Sequence, residues 1–203
     1  VVALMVANSP PAMAPWGGST ALFGTIPIAF AAPRADGPPL VIDLSLSRVA
    51  RGKVMAAAKS GEKIPEGWAL DADGQPTTNA TNALKGTMLP MGDAKGAALA
   101  LIEEILCATL TGANPSYQAT SFFEAEGAPP GVGQTIIAFS PDAAAPGFSA
   151  RLEGLLQTIL AQDGTRLPGV SRQQKRSAAA ARGIDVPDHL LAEIHDIIES
   201  SNG

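Results

Sequence analysis

The sequence predicts an α/β protein, and three observations carry that reading. Short β-favouring runs at 1–6, 26–32, 40–44 and 134–139 are interleaved with segments of helical periodicity. Arg34-Ala35-Asp36-Gly37 is a good hairpin turn between the second and third runs, which implies an antiparallel pair there. After Pro146 the pattern is helical almost throughout. No Gly-x-Gly-x-x-Gly follows a strand, since Gly131 and Gly133 lack the third glycine and lead into a strand, so an ordinary dinucleotide fold is not expected.

Element by element, 1–6 is an apolar strand stopped by Pro10-Pro11, and Ala14-Pro15-Trp16-Gly17-Gly18 is a rigid turn followed by a flexible one. Ile26 to Ala32 and Leu40 to Leu44 are the hairpin strands. Val49 to Ser60 reads as a helix with Val49, Lys53, Ala56 and Ala57 near one face and Gly61 as its stop. Residues 64–78 hold too many prolines and glycines for regular structure and read as a loop ordered by packing of Ile64, Trp68 and Leu70. The run 97–110 carries Ala98, Leu101, Ile102, Ile105 and Thr109 at helical spacing, widened by Leu106 and Cys107, and reads as a largely buried central helix. Residues 122–131 form a shaped loop before the strand Gln134 to Phe139. Helices follow from Phe148 to Leu160, over about 173–182, and from Pro187 to Ser200 with Leu190, Leu191, Ile194, Ile197 and Ile198 on one face.

Composition narrows the function. The 203 residues are 46% hydrophobic, enough for a real core, and the formal net charge is −5 with scattered basic residues. That argues against a nucleic-acid surface or a polybasic membrane contact. It leaves room for an anionic ligand, because screening over about 8 Å lets a local cation act despite the global sign. The one cysteine, Cys107, excludes an internal disulfide and a cysteine metal cluster and fits a reducing, cytoplasmic compartment. No apolar run reaches the roughly 18–20 residues of a bilayer span. Val1 to Val6 reads as a strand already under way without an initiator methionine, so the chain is expected to be a fragment.

The most informative segment is Pro90-Met91-Gly92-Asp93-Ala94-Lys95-Gly96, which opens a helix. Helix N-termini present unpaired N–H groups and partial positive charge, glycines allow close approach, and Lys95 adds a full charge. Lys95 is therefore either a phosphate ligand or a solvated first-turn side chain behind a capping Asp93. Asp43, Ser45 and Ser47 either cap the helix that follows or reach a ligand at its end. Arg51 lies in the first turn of that helix, where the dipole disfavours a cation, which points to a nearby anion. Thr25 is a polar side chain in an otherwise apolar stretch and either starts a strand or touches ligand. Trp16 and Trp68 read as packing anchors or stacking platforms, and Arg166, Arg172, Lys175 and Arg176 as a phosphate site or a solvated helix face. His189 and His195 read as surface histidines. No catalytic or metal-ligating residue is assigned.

Taken in order, these islands resemble one family. Ala14 to Gly18, Gly24-Thr25-Ile26-Pro27-Ile28-Ala29-Phe30, Asp43 to Ser47 with Ala50-Arg51-Gly52-Lys53, Ile64 to Ala69, Gly74 to Thr78, Leu89 to Gly96 and Leu167-Pro168-Gly169 resemble the malate/L-lactate dehydrogenases. Ureidoglycolate and sulfolactate dehydrogenases and a cyclic-imine reductase are among that family's members. The resemblance implies an α/β fold with a largely antiparallel, non-Rossmann NAD(P)-binding sheet over residues 1–145, a helical segment over 146–203, and a homodimer. It implies hydride transfer between NAD or NADP and a small 2-hydroxy or 2-keto acid, with reduction of a cyclic imine such as piperideine-2-carboxylate, or a truncated nucleotide-binding remnant, as alternatives. By position Ser9, Asp43, Leu44, Ser45, Lys95, Gly169 and Arg172 would contact cofactor, and Thr25, Arg51 and Gly52 would lie near substrate. The family's histidine acid/base falls in an N-terminal portion outside this chain, so the fragment alone is expected to be inactive. The chain departs from the family's asparagine at Ile26, from its Met-Ala-Thr-Ser run at Leu44 to Ser47, and from its second glycine at Asp93.

Overall fold

The computed structural model describes residues 1–201, without the side chains of His189 and Ser201. Strands β1 (Val2–Ala7), β2 (Pro27–Ala32) and β3 (Leu40–Ser45) are consecutive in the chain and adjacent in space. The expected hairpin is present, running antiparallel from Pro27 opposite Ser45 to Ala32 opposite Leu40, with Gly37 supplying the positive φ its turn needs.

Helix α1 (Arg51–Ser60) ends at Gly61 in the left-handed conformation, as expected. Its start corrects the capping alternative: the N-cap is Ala50, without a side-chain cap, Asp43 and Ser45 lie within β3, and the Ser47 hydroxyl donates to the Val49 carbonyl at 2.7 Å. The inward face also differs. Val54 is buried while Lys53 and Ala56 are exposed, because the helix turns its Val54 side, flanked by Ala57 and Ala58, toward the core.

Residues 64–78 are more regular than expected. They hold β4 (Ala69–Leu70) and β5 (Pro76–Thr77), which together with β6 (Thr87–Met88) make a small antiparallel sheet in the order β5-β4-β6. Between β5 and β6 lies α2 (Ala80–Lys85), capped by the Asn79 side chain accepting from the Asn82 N–H. Ile64, Ala69, Met88 and Val54 form one apolar cluster, against which Trp68 packs. Trp16 is not an anchor, since it is 55% exposed.

Helix α3 (Ala94–Glu104) continues as a single π turn, Ile105–Thr109. Its orientation overturns the expected one. Ala98, Leu101, Ile102, Ile105 and Thr109 face out, and Gly96, Ala97, Ala100, Glu103, Glu104, Cys107 and Ala108 face in. The cause is distance of approach: a Cβ on Gly96 would stand 1.8 Å from the Met91 carbonyl oxygen, so only the small-residue side fits against the loop and core beneath it.

Strand β7 (Gln134–Phe139) adds antiparallel to the other side of β1, giving a four-stranded sheet in the order β3-β2-β1-β7. The predicted α/β class with a largely antiparallel sheet is thus observed. Helices α4 (Pro141–Ala144) and α5 (Phe148–Leu160) follow, and Arg34 grips Glu153 of α5 through two 2.8 Å bonds, which ties the hairpin to the helix. By internal packing the chain divides after Thr158. The second unit contains α6 (Val170–Arg182) and α7 (Asp188–Ser201), on which Leu190, Leu191, Ile194, Ile197 and Ile198 are each at least 40% exposed. His195 is exposed, and the reading of His189 lies outside the described side chains. Among the described residues no helix is long and apolar enough to cross a membrane.

Candidate functional site

Three loops converge at one end of the antiparallel sheet because their backbones bond to one another. The Thr25 N–H donates to the Ser9 hydroxyl at 3.1 Å, the Leu46 N–H to the Thr25 carbonyl at 2.9 Å, and the Met91 N–H to the Leu46 carbonyl at 2.7 Å. The first contact requires Gly24, where a Cβ would lie 2.3 Å from the Ser9 oxygen. In this way the end of β1, the start of β2, the end of β3 and the start of α3 form one surface.

On that surface a cavity of about 460 Å³ brings together Ser9, Thr25 and Arg51. The rest of its lining is mostly apolar, with Pro10, Pro11, Pro27, Phe122 and Phe123, and includes Ser121. Arg51 decides its character. Partial burial draws the guanidinium pKa down from its ordinary value, and no carboxylate, carbonyl or hydroxyl of the described residues pairs with it. A half-buried cation without a protein anion is free to pair with a ligand's anion. Gly52, beside it, is exposed, with open space where a Cβ would stand.

The second group lies along the edge of β3 and the start of α3. Asp43 and Leu44 are exposed, Ser45 is half-buried with its hydroxyl 3.1 Å from that of Ser47, and Lys95 is exposed. The turn before α3 is open at Gly92, where a Cβ would meet nothing within 4 Å, and the Lys95 ammonium has no protein partner among the described residues. A phosphate fits here, since an eleven-residue helix starts at Ala94 beside a free cation. Asp93 does not cap this helix; its carboxylate pairs instead with Arg48, which also donates to the Gly67 carbonyl at 3.0 Å. Gly169 and Arg172 belong to the second unit, where Gly169 takes a left-handed φ of 82° ahead of α6 and Arg172 is exposed.

The family model for malate/L-lactate dehydrogenases matches residues 1–195. The chain belongs to that family. It is 52% identical to the (2R)-3-sulfolactate dehydrogenase (NADP(+)) of Chromohalobacter salexigens over 96% of this chain and 58% of that protein. It is 40% identical to the Delta(1)-pyrroline-2-carboxylate/Delta(1)-piperideine-2-carboxylate reductase of Pseudomonas aeruginosa over 98% of this chain and 60% of that protein. The crystal structure of delta1-piperideine-2-carboxylate reductase from Pseudomonas syringae superposes with a TM-score of 0.87 at 38% identity, covering 96% of this chain and 59% of that one. The chain therefore spans somewhat under two thirds of the length of the relatives it matches.

Several residues at or near the site escaped the sequence reading. Phe122 and Phe123 line the cavity, and the available signal was two adjacent aromatic residues within a glycine- and proline-rich loop. Asn8, 3% exposed and next to the cavity-lining Ser9, ties the end of β1 to the 114–133 segment by donating to the Asn114 carbonyl at 2.8 Å and accepting from the Gly133 N–H at 2.7 Å. Glu103 is 1% exposed with both carboxylate oxygens unpaired, and burial pushes its pKa up to about 7. Glu104, next to it, is satisfied by the Ser116 hydroxyl at 2.6 Å and the Ser116 N–H. Burial, with Glu103 nearby, pushes the Cys107 thiol up to about 11, so it stays protonated and unreactive.

Proposed function

We propose that this chain forms the cofactor-binding surface and one wall of the substrate pocket of an NAD(P)-dependent oxidoreductase. Its substrate in this reading is a small 2-hydroxy or 2-keto acid of the malate, lactate or sulfolactate type. The observation that carries the proposal is the unpaired, half-buried guanidinium of Arg51 in a cavity with Ser9 and Thr25. Arg51 holds the substrate carboxylate, Thr25 and Gly52 line its approach, and Ser9 orients Thr25 through their hydrogen bond. Lys95 and the turn before α3 take a cofactor phosphate, and Asp43, Leu44 and Ser45 border the same surface. Residues 1–145 form the cofactor domain and 146–203 the helical segment.

A nicotinamide dinucleotide held by Lys95 and the turn before α3 would supply the hydride acceptor for oxidation of the 2-hydroxy acid to the 2-keto acid. No histidine, carboxyl or thiol of the described residues lines the cavity. The hydroxyl proton is therefore exchanged by a residue from the part of the protein that the relatives possess beyond this chain's span, and the isolated chain binds without turnover. The exposed stripe Leu101, Ile102 and Ile105 is covered by a second copy in a homodimer, and the reduced thiol suits the cytoplasm. A second reading, reduction of a cyclic 2-imino acid, is favoured by the apolar walls of the cavity and by the reductases among the relatives.

Fluorescence titration of the intact protein with NADPH and NADH, followed by steady-state kinetics of Arg51→Gln, tests the reading. Binding of one nucleotide and a KM for the acid raised at least tenfold in the variant are expected. Failure to bind either nucleotide ends the proposal.

A further inference from the structure

Trp16 is 55% exposed, although the segment that carries it is held at both ends. Met13 is fully buried and exchanges backbone bonds with Phe23 at 2.8 and 2.9 Å, the Ala14 N–H donates to the Met88 carbonyl at 3.4 Å, and the Gly18 N–H closes a turn on the Pro15 carbonyl at 2.9 Å. That turn passes through Gly17 at a φ of 84°, which a residue without Cβ adopts freely. Beyond it the chain abuts the 71–75 turn so closely that a Cβ on Gly74 would stand 2.7 Å from the Ser19 Cβ. The indole is thus presented to solvent on a fixed support. It lines a cavity of about 450 Å³ together with the apolar side chains of Leu70, Leu89 and Pro90 and the polar Ser19. An exposed indole beside an apolar recess is suited to a flat, amphipathic ring.

The place of this cavity on the surface selects its occupant. Hydrogen bonds lead from Ser9 through Thr25 and Leu46 to Met91, and Pro90, one residue before Met91, lines the Trp16 cavity. The order along that path is the Arg51 cavity, then the end of β3 with the turn before α3, then the Trp16 cavity. A nicotinamide dinucleotide carries its parts in the same order: a redox ring that must lie beside the acid, an anionic bridge, and an adenine at the far end. We propose that Trp16 is the platform on which the adenine stacks, with Leu70, Leu89 and Pro90 forming the recess around the base. Stacking of a base on an aromatic side chain is worth about fivefold to a hundredfold in affinity. This inference rests on the reading of Lys95 as the phosphate ligand and of Arg51 as the carboxylate receptor.

The test is calorimetric titration of the intact protein with NADPH, NADH and AMP, joined to steady-state kinetics. Trp16→Ala is expected to weaken the bound dinucleotide at least tenfold and to raise its KM in parallel, with kcat and the KM for the acid within twofold of wild type. Trp16→Phe, which keeps an aromatic face, restores most of the loss, and Trp16→Leu does not. Of the two tryptophans, Trp68 packs against the core, so AMP should quench the fluorescence of wild type and leave that of Trp16→Phe unchanged. Wild-type dinucleotide affinity in Trp16→Ala overturns the proposal, including where a dimer is lost, which would make the indole a subunit contact. Full rescue by leucine, or a KM for the acid raised as much as that for the dinucleotide, overturns it too, since either marks a packing role. Lys95→Met separates the two readings: if it weakens the dinucleotide while Trp16→Ala does not, only the role of the tryptophan fails.

Discussion

Ile26 and Asp93 are the two non-glycine residues with positive φ among those described, at 46° and 57°. By the resemblance these positions would carry asparagine and glycine. A β-branched isoleucine tolerates positive φ poorly, and Asp93 combines it with a ψ of −124°, outside the left-handed helical region. At Ile26 the conformation is imposed by its surroundings: the side chain is fully buried, and the Leu46 N–H is shared between the Thr25 and Ile26 carbonyls at 2.9 and 3.2 Å. At Asp93 the φ of 57° is combined with ψ of −124°, and the ion pair to Arg48 is exposed. Backbone strain of about 1–3 kcal/mol outweighs an exposed pair worth about 0–1 kcal/mol. Asp93→Gly is therefore expected to stabilise the protein by about 1 kcal/mol, seen as a rise of about 2–4 °C in Tm. A lower Tm would show that the Arg48 pair dominates. Glu103 gives a prediction of the opposite kind, because its carboxyl is buried without a partner and titrates at about 7. A carboxyl whose folded pKa is raised binds its proton more tightly in the native state, so stability falls as pH rises from about 4.3 to about 7 and then levels off. Glu103→Gln should be more stable than wild type at pH 8 by on the order of 3 kcal/mol, with the gap closing by about pH 4; denaturant unfolding at several pH values reads this directly.

At the scale of elements, α3 shows both what the sequence contained and what it concealed. Its position, its glycine-flanked start and its apolar periodicity are all readable from residues 90–110. Which face turns inward is not, because periodicity locates a stripe of large apolar residues without saying whether a core or another surface covers it. The small residues Gly96, Ala97 and Ala100 decide the matter, since they permit the close approach that leaves Leu101, Ile102 and Ile105 outside. The two-residue strands near Trp68 were hidden for a related reason: their pairing is set by partners up to about twenty residues away in the chain, and their own composition is that of a loop. An exposed apolar stripe of this kind marks an association surface. If this stripe is the interface of the proposed homodimer, Ile102→Lys/Ile105→Lys gives a monomer in sedimentation analysis where wild type is dimeric, with circular dichroism unchanged. A variant that remains dimeric places the interface elsewhere.

For the first unit as a whole, the decisive contact joins residues more than a hundred positions apart. The hairpin between β2 and β3 is local and legible from four turn residues, whereas the neighbouring of β1 and β7 is not, since nothing in either strand names its partner. Asn8 supplies part of that specification from the end of β1. Its side chain donates to the Asn114 carbonyl and accepts from the Gly133 N–H, while its own N–H donates to the Gly133 carbonyl at 3.2 Å. Gly133 has no freedom to move away, because a Cβ there would stand 1.8 Å from the Cys107 carbonyl oxygen. Asn8 thereby locks the base of the loop that carries Phe122 and Phe123 to the residue preceding Ser9. Asn8→Ala would leave a part-buried carbonyl and a buried N–H unpaired, at a cost of about 2–4 kcal/mol. Asn8→Asp keeps the acceptor for Gly133 but sets a carboxylate oxygen against the Asn114 carbonyl, so it should be no better. Both variants are expected to lower Tm by about 4–16 °C and to raise KM for the acid, with faster amide exchange confined first to the 114–133 segment. A normal KM in a clearly destabilised Asn8→Ala would uncouple the lock from the pocket and leave Asn8 a purely structural residue.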